Sequence, residues 1–223
     1  MEKLPKIWKK FGRPLETEKA RTVQQVTCFG FADAKPSDKV YQDAFKVAFV
    51  LAQAGYTIVD GGGPGVMEAA SQGAKAAGGT VIGVTFYPKD ANHFEGRDRN
   101  NPLDKEIKTN NYLERTMTLL REGQVYVVFN GATGTLSEFA MAWGLARLYL
   151  GHHKPLILYG SYWKNIVKAL QKNMLIRPDE MRVFKIVDSP QKVLDAINKF
   201  EKEIEQGRHR YMAISKEEGA FTL

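Results

Sequence analysis

Val125-Tyr126-Val127-Val128-Phe129-Asn130-Gly131-Ala132-Thr133-Gly134-Thr135-Leu136-Ser137-Glu138 is the stretch from which the fold can be read. Five strongly β-forming residues enter a small-residue loop. The loop runs straight into a helical pattern through Phe139, Ala140, Trp143 and Leu145. A buried strand, a glycine turn and a helix N-terminus, in that order, make an anion site. Free backbone N–H groups and the positive end of the helix dipole both face the turn. Gly131 and Gly134 are expected to supply positive φ and close approach to a ligand. Ala132, Thr133 and Thr135 complete the loop, the threonines adding hydroxyl groups. Glu138 differs in kind: a carboxylate one turn into the helix repels an anion, so it is a candidate for chemistry. The plainer alternative is a first-turn glutamate that complements the helix dipole.

The same pattern occurs upstream. Asp60-Gly61-Gly62-Gly63-Pro64-Gly65-Val66-Met67 follows a strand over residues 56–59 and opens a helix, with Pro64 expected at the first helical position. The first strand spans residues 25–31, with Gly30 near its end. A helix capped by Ser37 or Asp38 then presents Val40, Tyr41, Ala44, Phe45, Ala48 and Leu51 on one face, and Ala54-Gly55 ends it. A third strand spans residues 80–86. Residues 87–109 read as one long polar loop, and loops of that length are commonly functional. Helices over residues 110–121, 163–174 and 193–204 alternate with strands over 156–159 and 184–187.

Strands alternating with helices of this length imply parallel β-α-β units. The expected fold is α/β: a single Rossmann-like domain with a doubly wound parallel sheet and helices on both faces, over residues 23–205. Residues 1–22 form a basic N-terminal extension, with a short helix around residues 7–11, and residues 206–223 a C-terminal tail. Gly30 and the two glycine loops all fall at strand carboxyl ends, where ligands of such sheets bind.

The totals narrow the class. The 223 residues, 43% hydrophobic and 26% charged, describe an ordinary globular chain. No apolar run approaches the roughly 20 residues of a membrane helix, and residues 1–21 lack a continuous apolar segment of the secretory kind. A single cysteine, Cys28, sits in an apolar strand and reads as a core residue rather than a nucleophile. With no disulfide to form, a cytoplasmic location is expected. Of the net charge of +7, residues 1–35 hold +4, from eight Lys/Arg and four Asp/Glu. That is a basic arm without the basic-aromatic pattern of nucleic-acid binders. A modest positive field suits a small phosphorylated ligand, and neither nucleic acid nor membrane is expected as a partner. His93 reads as a solvated loop histidine. His152-His153 lacks partners at ligand spacing, so no metal is expected.

Neither glycine loop fits the dinucleotide pattern G-x-G-x-x-G in its place after the first strand, and G-x-x-x-x-G-K-[ST] is absent. What the chain does resemble is the LOG ("lonely guy") family, labelled lysine-decarboxylase-like, of nucleoside 5′-monophosphate phosphoribohydrolases. The family's P-G-G-x-G-T-x-x-E corresponds to Asn130 through Glu138. Its G-G-G-x-x-G-x-M corresponds, one residue shorter, to Gly61 through Met67. Its upstream arginine corresponds to Arg115, and its G-x-H-x-K-P to Leu150 through Pro155. Asn130 stands for the proline, Ala132 for the second glycine, and Thr116 for the basic residue after the arginine.

The resemblance implies cleavage of an N-glycosidic bond, with cytokinin ribotides as named substrates and Glu138 and Arg115 catalytic. It also implies a phosphate held by Gly30, Gly61, Gly62, Gly63 and residues 131–135, no cofactor, and a homodimer or higher homo-oligomer. Asp33 and Glu68 are further candidates for ligand contact. The chemistry has its own logic: breaking the bond builds positive charge on the ribose, and a carboxylate beside it stabilises that charge or activates water. The competing reading is a non-catalytic nucleotide or molybdenum-cofactor carrier on the same scaffold. Lysine decarboxylation is set aside, because no lysine stands in a recognisable pyridoxal-phosphate context.

Overall fold

The computed structural model describes residues 23–87, 96–148 and 153–206. His93, His152, the expected short helix near residues 7–11 and the tail beyond Gln206 lie outside them. The described chain runs β1 (Gln25–Phe29), α1 (Lys39–Gln53), β2 (Thr57–Asp60), α2 (Val66–Ala76), β3 (Val81–Phe86), β4 (Lys105–Thr109) and α3 (Tyr112–Glu122). It continues with β5 (Val125–Val128), α4 (Thr133–Leu148), β6 (Leu156–Tyr159), α5 (Trp163–Asn173), a 3-10 turn, β7 (Phe184–Val187) and α6 (Pro190–Glu205).

The seven strands form one parallel sheet in the order β4-β3-β2-β1-β5-β6-β7. The chain builds outward from β1 to β4, then returns to the other side of β1 and builds outward again. The order reverses between β1 and β5, and the crevice above their carboxyl ends is the position where doubly wound sheets bind ligands. Two apolar layers enclose the sheet, as continuous hydrophobic strands require. Helices α1, α2 and α6 bury Tyr41, Leu51, Ala70 and Phe200 on one side. Helices α3, α4 and α5 bury Leu119, Phe139 and Trp163 on the other.

Three local expectations are corrected. Residues 87–109 are not one loop, because Lys105–Thr109 pairs in parallel with β3 from Ile82 to Phe86 and ends the sheet. This edge strand is mostly exposed, so it carries the lysines and glutamate that protect sheet edges instead of an apolar run. Pro64 is not the first helical residue. Gly65 is the N-cap of α2, at φ +66°, and the helix starts at Val66. Gly131 and Gly134 do not take positive φ. Gly134 lies inside the first turn of α4, and Gly131 is needed for space, since a Cβ there would fall on the Thr135 hydroxyl. No described non-glycine residue has positive φ, so Ala132 occupies its place without backbone strain.

Gly65 is a position where only glycine fits. Its φ is unfavourable for L side chains, and a Cβ would strike the carbonyl oxygens of Phe31 and Ala32. Gly65→Ala should therefore destabilise the fold by about 2–4 kcal/mol. Urea unfolding measures this, and an unchanged midpoint would contradict the close approach of these two loops.

Candidate functional site

A cavity of about 420 Å³ opens at the β1/β5 switch point. That is within the usual range for small-molecule sites. Its walls come from the loop after β1 (Gly30, Phe31, Ala32), from α2 (Met67), from α3 (Tyr112, Arg115, Leu119) and from the first two turns of α4. The structure brings together Glu138, Arg115, Gly30, Gly61, Ala132, Thr133, Gly134 and Thr135 on this one cavity.

Other expected residues fall elsewhere. Gly62 and Gly63 are buried beneath the crevice rather than on its wall, and Gly131 is exposed beside it. Asp33 is exposed, and Glu68 accepts a hydrogen bond from Gln72 Nε2 (2.6 Å); neither lines the cavity.

Main-chain hydrogen bonds tie the three loops together. Phe31 N–H donates to the Asn130 carbonyl (3.0 Å), and Val66 N–H donates to the Phe31 carbonyl (2.9 Å). The first bond gives Asn130 a clear part: it offers a main-chain carbonyl, which a proline there would offer equally. The second shows that the two helix N-termini differ. The first amide of α2 is taken by the β1 loop. In α4 the first intrahelical bond runs from Leu136 N–H to the Ala132 carbonyl (3.0 Å). The amides of Thr133, Gly134 and Thr135 therefore have no acceptor within the helix and face the cavity with the dipole's positive end. Of the two helix ends, the α4 end is the one whose first amides are left for an acceptor outside the helix.

Arg115 is 6% exposed and held in place. Its Nε donates to the Val84 carbonyl and its Nη2 to the Gly61 carbonyl, both at 3.0 Å. Nη2 also lies 3.4 Å from Met67 Sδ. A Cβ on Gly61 would collide with this guanidinium, so that glycine makes room for the arginine. Glu138, 7% exposed, reaches the cavity one turn beyond Thr135. A nearly buried carboxylate and a buried guanidinium thus share a wall with the N-terminus of α4.

Sequence reasoning had no role for Asp60, at the end of β2. It is fully buried, and its oxygens accept from Gly62 N–H (2.7 Å), Ser71 Oγ (2.6 Å) and Asn101 Nδ2 (3.3 Å). Asn101 Nδ2 also donates to the Gly63 carbonyl (2.8 Å). This cluster fixes the triple-glycine turn, and through Gly61 it sets the seat of Arg115. Burial lifts the Asp60 carboxyl to about 6, with the three hydrogen bonds and the Arg115 charge pulling the other way. A raised acid keeps a proton in the fold that the unfolded chain releases. Its contribution is fully present below the ordinary aspartate value of 3.8 and is lost as pH rises through about 6. At about 1.4 kcal/mol per unit this amounts to about 3 kcal/mol. An asparagine here can still accept from Gly62 and donate to Ser71. Asp60→Asn should therefore flatten the pH dependence of stability between about 4 and 6. Urea midpoints across that range test it; a variant that parallels the parent would remove Asp60 as the titrating group.

Cys28 is buried, and burial together with the Asp60 charge pushes its thiol well above the usual range, as befits an inert core residue. Among the described residues, no group of three or more His, Cys, Asp or Glu is placed to hold a metal ion. No helix among them is long and apolar enough to cross a membrane.

A protein-family model, the SLOG cluster4 family, matches residues 23–187, which include every strand of the sheet and the whole cavity. The chain belongs to this LOG-like family. Among similar proteins, a cytokinin riboside 5′-monophosphate phosphoribohydrolase of Mycobacterium tuberculosis is 31% identical over 163 residues. That match spans 69% of this chain and 82% of the relative. The enzyme of the same name from Mycobacterium marinum is 31% identical over 133 residues, 59% of this chain and 68% of that one. Among solved structures, the molybdenum cofactor binding protein of Rippkaea orientalis aligns with TM-score 0.58 and 25% identity, over 82% of this chain and 99% of that one. DNA processing protein A of Helicobacter pylori, at 18% identity and TM-score 0.52, shares the fold over 80% of this chain and 82% of its own. In this SLOG cluster4 chain, Ala132 and Ser137 line the cavity on the α4 side.

Proposed function

We propose that this protein is a phosphoribohydrolase, cleaving the N-glycosidic bond of a nucleoside 5′-monophosphate to free base and ribose 5-phosphate. The observation that carries the reading is the placement of Glu138 and Arg115 on one cavity with the N-terminus of α4. The α4 amides bind the 5′-phosphate and so fix where the ribose lies. Glu138 faces the sugar, stabilises the developing positive charge and takes a proton from the attacking water. The water oxygen bonds to the anomeric carbon. The electron pair of the broken C–N bond leaves with the base, which picks up a proton. Arg115 neutralises the phosphate and holds the Gly61 turn open. Phe31, Met67 and Leu119 offer apolar surface for a flat base. AMP and cytokinin riboside monophosphate are the substrates this reading favours, without any added cofactor.

A homodimer goes with this proposal. Beside the cavity, α4 presents a second, mostly apolar groove of about 430 Å³, bounded by Leu136, Ala140, Trp143 and Met174. Leu136 is 50% exposed there. Trp143 itself is engaged within the chain: its Nε1 donates to the Glu180 carbonyl (2.7 Å) and its ring stacks on Phe139.

The alternative is a carrier of a phosphorylated cofactor, favoured by the extent of the likeness to the Rippkaea molybdenum cofactor binding protein. The two readings separate when purified protein is incubated with AMP and cytokinin riboside monophosphate and free base is assayed. Base release supports the hydrolase. No release from either, with a phosphorylated pterin co-purifying by mass spectrometry, would establish the carrier instead.

A further inference from the structure

The cavity wall carries a pair of hydroxyl groups that neither the motif nor the proposed chemistry uses. Tyr112 opens α3 one turn before Arg115, and Ser137 immediately precedes Glu138 on α4. Both line the cavity. Their oxygens lie 3.1 Å apart. Ser137 Oγ spends its only proton on the Gly134 carbonyl (2.8 Å). With the serine proton on the Gly134 carbonyl, the phenol is the donor in the contact with Ser137, and the phenol oxygen keeps its lone pairs for a ligand. The tyrosine ring is braced edge-on against Phe86 (centroids 6.4 Å apart), and Tyr112 remains 39% exposed.

Position and polarity then decide what meets this oxygen. A Cβ built on Gly134 would lie 3.5 Å from Tyr112 Oη, so the phenol stands over the first turn of α4, directly beside its first amides. A phosphate oxygen accepts hydrogen bonds and finds no proton there. A hydroxyl group donates one. When the phosphate occupies the α4 amides, the next hydrogen-bond donors along a nucleoside 5′-monophosphate are the hydroxyls of its sugar.

We propose that the Tyr112–Ser137 pair is a sugar-reading device: Tyr112 Oη accepts a hydrogen bond from a ribose hydroxyl and makes the site prefer ribose over deoxyribose phosphates. Ser137 is its positioning residue, holding the phenol proton away from the ligand. The kinetic part of this proposal rests on the hydrolase reading; the binding part does not.

The test is calorimetric binding of ribose 5-phosphate, 2-deoxyribose 5-phosphate and 3-deoxyribose 5-phosphate to the full chain, alongside base release from AMP and 2′-deoxy-AMP. The parent should bind the ribose compound about tenfold tighter than at least one deoxy analogue, the value of one hydrogen bond to a hydroxyl. Tyr112→Phe, which removes one atom from an exposed side chain, should bring the affinities within about twofold of each other. Ser137→Ala frees the phenol proton, so adenosine 3′,5′-bisphosphate should gain affinity relative to AMP. Equal affinity of the parent for all three sugars would overturn the proposal, as would discrimination that survives Tyr112→Phe. Sugar discrimination without any base release would leave this proposal standing and remove the hydrolase reading. Base release at equal rates from AMP and 2′-deoxy-AMP, with equal sugar binding, would do the reverse.

Discussion

Glu138→Gln should reduce base release from AMP by a factor on the order of 10²–10⁴, the range set by removing a positioned acid–base group. Binding of ribose 5-phosphate should stay within about threefold, because in the proposed mode the phosphate is held by main-chain amides that the substitution does not touch. The change is nearly isosteric and removes only the charge. The carboxylate is almost fully buried in the cavity wall, where its negative charge acts through little water. That charge is useful only when positive charge grows on the ribose, so its loss should appear in kcat and not in KM. Unchanged turnover would remove Glu138 from the chemistry. An equal loss of affinity for ribose 5-phosphate would point instead to a structural part in α4.

Lys154→Met should cost about 2–4 kcal/mol of stability and lower activity as well. Lys154 stands in the stretch before β6 and is buried. Its Nζ donates to three carbonyls at the end of α3: Leu120 (2.6 Å), Arg121 (2.9 Å) and Gly123 (2.6 Å). It also lies 5.7 Å from the centre of the Tyr126 ring. Burial pulls this ammonium down toward about 7. The geometry pulls the other way: three acceptors match three N–H bonds, a neutral amine could fill only two, and a helix C-terminus favours a cation. The charged form therefore caps α3 near neutral pH. The same helix carries Tyr112 and Arg115 on its cavity side, so a loosened end should shift both. Methionine fills the volume of the lysine stem but leaves the carbonyls without donors. Chemical denaturation and AMP turnover together measure the effect. A stable variant with normal turnover would show that α3 is fixed by its packing alone.

Most of the fold was legible because its parallel strands are buried on both faces and read as short apolar runs between helices. Residues 125–128 and 156–159 are the clearest instances. β4 was not legible: Lys-Glu-Ile-Lys-Thr at a sheet edge is written for solvent and looks like loop. The strand–loop–helix at residues 125–138 could be read from its residues, but the loop's geometry could not. The expectation of positive φ at Gly131 and Gly134 took glycine as a sign of an unusual backbone. Here one glycine gives room to the Thr135 side chain and the other sits in a helix. Glu138 stood out from its place one turn into the helix and Arg115 came from the resemblance; the structure gives them a common cavity. Asp60, Ser137 and Lys154 act through partners 11, 25 and about 30 residues away, or more, in the chain. Such pairings arise only when the sheet assembles, and local spacing carries no trace of them.

The central claim is that the bond broken lies between base and sugar. Incubating the full chain with AMP and quantifying every product tests it most directly. The account predicts adenine and ribose 5-phosphate in equal amounts, with no adenosine and no free phosphate. Adenosine plus phosphate, or AMP recovered intact from a tight complex, would contradict it.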